Sequence, residues 1–281
     1  MPPLPWITTA LKSLLALAIA TASLASLVSI QRSQLSQTLQ TDTQALQRAD
    51  RQEALRLSLL GRMPSFGFDN LLSDWTFLNF LQYDGDTIAR RKLGYELAPA
   101  YFDVMTRRDP RFVDTYLFLS GTLAYRMAKP ELAVEYMTRG TNALSPQQHP
   151  RAFVVWRFKG LEQLLLLGDI PASIHSHQKA GEWAAGSSDP QYHQISPLLL
   201  GTARFLAAEP DSKRVRVWSW SDVYAQAQAA RDRETQERAK QEILNLGGVE
   251  KTDPQRQTYF EFPEPQPSPT PTPSPQASPD S

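Results

Sequence analysis

Two consecutive stretches of this chain carry one pattern. Residues 113–146, VDTYLFLSGTLAYRMAKPELAVEYMTRGTNALSP, read as a helix, a short turn, a second helix and a closing Ser-Pro. Residues 152–184, AFVVWRFKGLEQLLLLGDIPASIHSHQKAGEWA, have the same form. Gly121 matches Gly160 at a spacing of 39, while Ala133 matches Ser173 and Gly140 matches Ala180 at 40. Gly201, in SPLLLGTARFLA, follows Gly160 by 41. A repeat of this length restricts the fold more than any other feature, because a single hairpin cannot bury its apolar face and must stack on a neighbour. Recurrent Gly, Ala and Ser then mark where one helix admits another closely. Pro110, Pro130, Pro171 and Pro197 each open an apolar-periodic run, where a first helical turn tolerates proline. Apart from a brief VRVWSW at 215–220, no run alternates apolar and polar residues, so the expected body is all-α.

In the first unit, Leu117 is followed four positions later by Gly121, and Ala133 precedes Gly140 by seven. In the second, Trp156 and Gly160, then Ser173 and Ala180, repeat that spacing. On these residues the chain resembles the tetratricopeptide repeat family. The likeness covers residues 113–184 and departs from the family in its period, nearer 40 than 34, and in Ala124, which stands where the family has tyrosine. It implies stacked hairpins whose first helices line an inner groove. In this register the groove takes Phe118, Thr122 and Tyr125 from one unit, Arg157 and Leu161 from the next, and Thr202 and Phe205 from the third. Such a mixed surface suits an extended peptide or a partner helix, unless an added helix covers it. The stretches FGFDNLLSDWTFLNFLQY, RDPRFVDTYLFLS and WRFKGLEQLLLLGD together look like an uncharacterised family of membrane-anchored repeat proteins from cyanobacteria. That resemblance implies a scaffold in a membrane and brings no catalytic residues.

The ends differ from the middle. After a flank of residues 1–12, nineteen residues, 13–31, contain no charged side chain. As a helix they would reach roughly 28 Å, close to the thickness of a bilayer's hydrocarbon core. This is read as a transmembrane or signal-anchor helix, with a cleaved signal peptide as the alternative, since ATA at 20–22 and LAS at 24–26 suit a peptidase. A single N-terminal segment of this kind normally leaves the following chain on the non-cytoplasmic side; after cleavage the protein would be secreted. Residues 32–60 are rich in Gln, Ser and Thr, with Leu35, Leu39, Leu46, Leu57 and Leu60 unevenly along one side, as in a polar helical stalk that could self-associate. The helical domain is expected over 61–248, and 249–281 as a Pro-rich disordered tail, a spacer or a ligand for a proline-reading domain.

Candidate sites are few. The segment GRMPSFGFDNLLSDWTFLNFLQYDGD (61–86) is dense in aromatics and acids. A helix over 69–83 would be apolar around its circumference and so buried, with Asp69 as its N-cap. Asp74 would then be a buried carboxylate needing a partner, for which the arginines of TRRDPRF are the candidates. His149, His175, His177 and His193 read as solvated rather than metal-binding, because His175 and His177 diverge by about 160° on a helix. No phosphate loop, nucleophile elbow or zinc-protease motif occurs, and no cofactor is implied. Lys213, Arg214, Arg216, Trp218 and Trp220 could touch lipid headgroups or cap the end of the stack. With 29 basic against 29 acidic residues and no cysteine, the composition favours no nucleic-acid partner and excludes disulfides and thiolate sites. The expected function is a membrane-anchored, non-catalytic protein-binding or assembly module. The alternatives are an envelope or carbohydrate-acting enzyme using Asp74, which would need a second carboxylate, and a purely structural spacer.

Overall fold

A computed structural model describes residues 43–253 and 258–263, together with Thr21, Ser23 and Ser26. The segment expected as membrane anchor therefore lies almost wholly outside the described residues, as do residues 254–257 and 264–281 of the expected tail. Among those described, no helix is long and apolar enough to cross a membrane. The chain divides into two units, 1–53 and 54–281. Of the first, residues 43–53 form the start of helix α1 (Thr43–Arg62). The second contains the rest of α1 and every later element, so the expected start of the body at residue 61 moves earlier; Leu57 already belongs to its core.

Helices α2 (Asp69–Gly85) and α4 (Ala98–Arg108) pack together, with the short α3 (Thr87–Leu93) between them in sequence. Asp86 closes α2 and caps α3, accepting from the Ala89 amide at 2.9 Å. Next come two hairpins of one design. Helix α5 (Val113–Leu119) runs into a π-helical segment, Ser120–Arg126, and α6 (Pro130–Ala143) returns. Helix α7 (Phe153–Glu162) runs into a second π segment, Gln163–Leu167, and α8 (Ile170–Ala185) returns. The turns match at a spacing of 40: Ala128 and Gly168 both have positive φ, at 50° and 71°. The Lys129 amide donates to Leu123 O at 2.7 Å, and the Asp169 amide to Gln163 O at 2.8 Å.

This geometry corrects the register of the first unit. At a constant spacing of 40, Gly160 corresponds to buried Ser120 and Trp156 to buried Tyr116, one residue before Gly121 and Leu117. Gly121 is exposed and has nothing within 4 Å of where a Cβ would stand, and the same space is open at Gly201. The other small residues do lie at contacts. A Cβ on Gly140 would meet the Tyr116 ring at 2.5 Å, and one on Gly160 would meet His177 Nδ1 at 2.6 Å. Ala133, Ser173 and Ala180 have no exposed surface, and Ser173 Oγ donates to Gly160 O at 2.9 Å.

The third unit is built differently. Helix α9 (Ser196–Ala208) packs on α8, with Leu200 over Gly181. Helix α10 (Lys213–Ala230) then packs against both π segments and pairs with α11 (Arg233–Asn245). Strands β1 (Val249–Thr252) and β2 (Thr258–Glu261) form an antiparallel hairpin in the stretch expected as tail. Its buried Phe260 meets Tyr224 edge-on at 4.9 Å, which extends the ordered body past residue 248. The body is thus helical with one small sheet.

Candidate interaction surfaces

Helix α2 faces the wrong way for its composition. It buries Ser73 and Thr76 along with Phe80 and Tyr83, and it exposes Leu71, Trp75 and Leu78. The inner face is explained by close packing. Ser73 Oγ donates to Met105 O on α4 at 3.3 Å, and Thr76 Oγ1 turns back to Leu72 O at 2.7 Å, so the two small polar residues let the helices approach without leaving a donor unpaired. Among the described residues, no contact explains the outer face. Leu71, Trp75 and Leu78 stand at i, i+4 and i+7 on one side of the helix, and Trp75 is 55% exposed. On α1, Leu55 and Leu59 are exposed four residues apart, and Met63 follows by four, while Leu57 and Leu60 turn inward. Between the helices Phe66 is 85% exposed and has φ 50°, a left-handed conformation rare for a bulky side chain, and Gly67 follows at φ 91°. The expectation of a helix buried on all sides is corrected: the apolar circumference is real, and one side of it faces solvent.

Arg108 fastens the α1–α2 turn. Its guanidinium donates to Leu60 O and Met63 O, both at 2.5 Å, and to Asp69 Oδ1 at 2.9 Å. Asp69 is therefore not the N-cap. Phe68 occupies that position without a side-chain bond, and Asp69, the first helical residue, accepts from Ser65 Oγ at 2.7 Å and from Arg108. These bonds hold its carboxyl below the usual range, Ser65 contributing most. Asp74 is likewise corrected. It is exposed within the apolar stripe and makes no ion pair among the described residues; of the arginines expected to reach it, Arg108 pairs with Asp69 and Arg107 with Asp103.

The groove residues divide along the register correction. Thr122 is buried; Phe118 and Tyr125 are half-buried and pack against the core. Burial, then the negative charges of Glu162 and of Asp222 on α10, push the Tyr125 hydroxyl up. Arg157 is exposed, Leu161 and Thr202 are half-buried, and Phe205 is 58% exposed. Leu117, outside the expected set, is the exposed counterpart of Arg157. Helices α5 and α7 are neighbours, whereas α9 lies on α8, so the three first helices do not line one groove.

Between the hairpins lies a buried polar seam that sequence reasoning missed. Glu162 is 1% exposed and accepts from Ser120 Oγ at 2.5 Å, while its second oxygen has no partner. Burial raises its carboxyl to about 7, against the lowering effect of that bond. Beside it, Ser176 Oγ donates to Gln163 Oε1 at 2.7 Å. His177, expected in solvent, is buried over Gly160 with Nδ1 2.9 Å from Ser173 O. Its ionisation is lowered by burial, while the Ser173 bond opposes that. His175 is exposed and stands edge-on to Trp156. On α10, Arg216 lies over Gly168 and reaches Leu166 O and Leu167 O at 3.4 Å, and buried Trp220 donates to Leu166 O at 3.2 Å. Lys213, Arg214 and Trp218 remain exposed. No family model, curated protein or solved structure matches the chain.

Proposed function

We propose that this chain is a membrane-anchored, non-catalytic binding and assembly module built from tetratricopeptide-like hairpins. Residues 13–31 hold it in the membrane, with the body on the non-cytoplasmic side. The observation that carries the reading is the inverted helix α2, which turns Ser73 and Thr76 to the core and keeps Leu71, Trp75 and Leu78 for the outside. Leu55, Leu59, Met63, Phe66 and Phe68 are exposed as well, so residues 55–78 leave more large apolar side chains in water than a short stretch of a folded body usually does. Arg108 and the strained Phe66 turn support the same reading, since both hold the presenting segment in a fixed shape. The 40-residue hairpins serve as the rigid support.

Cross-linked pull-down of the full chain from native membranes tests this. Wild type is compared with Leu71→Gln/Trp75→Gln and with Arg157→Ala/Phe205→Ala. Loss of captured protein with the first pair and retention with the second is expected; retention with the first pair contradicts the assignment.

A further inference from the structure

We infer that the occupant of the α1–α2 face is a second copy of this chain, which pairs through residues 55–78 to make a two-fold symmetric dimer. The inference rests on the docking reading above and names its partner. Area is the first argument. Eight large side chains, from 48% exposed at Met63 to 85% at Phe66, leave apolar surface in water. Together they expose on the order of 1,000 Å², against about 800 Å² that each partner contributes to a standard stable interface. Apolar surface of this size, carried by residues 55–78 alone, suffices for such an interface.

Charge is the second argument. The stripe carries one acid and one base with no ion pair inside the chain among the described residues: Asp74, between Leu71 and Leu78, and Arg62, at the end of α1. A surface bearing one charge of each sign is complementary to itself under a two-fold rotation, which brings each Arg62 toward the Asp74 of the other copy. A basic or an acidic partner would satisfy only one of the two. An anionic bilayer would have to accept Asp74 among its headgroups.

The test uses the full chain, which has no cysteine of its own, so single cysteines report without background. Ser58→Cys and Gln82→Cys lie on the outward sides of α1 and α2. In detergent micelles the protein mass is expected at twice 31.6 kDa, and a short bis-maleimide is expected to join two chains at Ser58→Cys or Gln82→Cys. Leu71→Glu/Trp75→Glu is expected to abolish both with unchanged far-UV circular dichroism, while Leu198→Glu on α9 abolishes neither. A single-chain mass with no cross-link overturns the dimer. Maleimide labelling in native membranes then separates the two levels of the account. Cysteines shielded there but open in the purified monomer mean that the bilayer or a different protein, and not a second copy, covers the face. Cysteines open in both mean that neither the dimer nor the docking surface exists.

Discussion

Single residues decide the register of the hairpins, and two glycines one helix apart test it. Gly140→Ala pushes a methyl group into the buried Tyr116 ring and is expected to cost about 1–3 kcal/mol, read as a lowered urea midpoint. Gly121→Ala meets nothing and is expected to change stability by less than ~1 kcal/mol, toward the stabilising side, because alanine restricts the unfolded chain. Equal losses at both positions would restore the register with Gly121 at the contact. Glu162 supplies the pH dependence. Its carboxyl is raised from 4.5 to about 7, so the folded state holds the proton more tightly than the unfolded one, and stability falls as pH rises between those values before levelling off. Glu162→Gln, which keeps an acceptor for Ser120, is expected to remove that fall and to be more stable than wild type at pH 8 by about 2–3 kcal/mol. Of these residues, Gly140 and Gly160 were legible because a small residue at a recurring spacing has a direct packing meaning. Ser120 was not, because a visible glycine stood next to it. Glu162 and His177 gave no sign, since a charged or polar residue in a helix reads as solvated unless the contacts that bury it are known.

At the scale of elements, helices were legible and their faces only partly so. The π segments add a residue to each first helix, which shifts everything after them and supplies one of the six residues by which a period of 40 exceeds 34. A helical wheel of α2 shows apolar residues all round, and the inference to burial on all sides failed because Ser73, against α4, and Thr76 take inner positions while Leu71 and Leu78 face out. That inversion is itself the mark of an outward-facing site, and it becomes visible in the sequence once the two small polar residues are assigned to the inside. The β-hairpin was hidden by the prolines that follow it; Phe260 and Phe262 were the available clue. Arg108 joins α1 to α2, and Arg108→Ala is expected to lower stability by about 2 kcal/mol and to speed amide exchange from Leu59 to Leu72, whereas Arg108→Lys recovers only part because one ammonium cannot hold three acceptors in the guanidinium's geometry. Unchanged exchange in that segment would show that the turn is held by other contacts. Phe260→Ala is expected to cost about 3 kcal/mol through loss of its packing under Tyr224, measured by thermal melting.

At the scale of the whole molecule, a helical body carries exposed apolar side chains over residues 55–78, before the two hairpins in sequence. Helix α4 links that stretch to the hairpins, and the first helices do not line one groove, since α9 lies on α8 and α10 packs on both π segments. Function was therefore placed by sequence on the repeats, where a family resemblance pointed, while the stronger physical signal lies in residues 55–78. A photo-reactive residue introduced at Trp75 of the full chain, activated in native membranes and followed by peptide mass spectrometry, identifies what covers the face. A protein adduct at position 75, joined to residues 55–82 of a second copy, is expected. Adducts to lipid alone, or no adduct at Trp75, would contradict it.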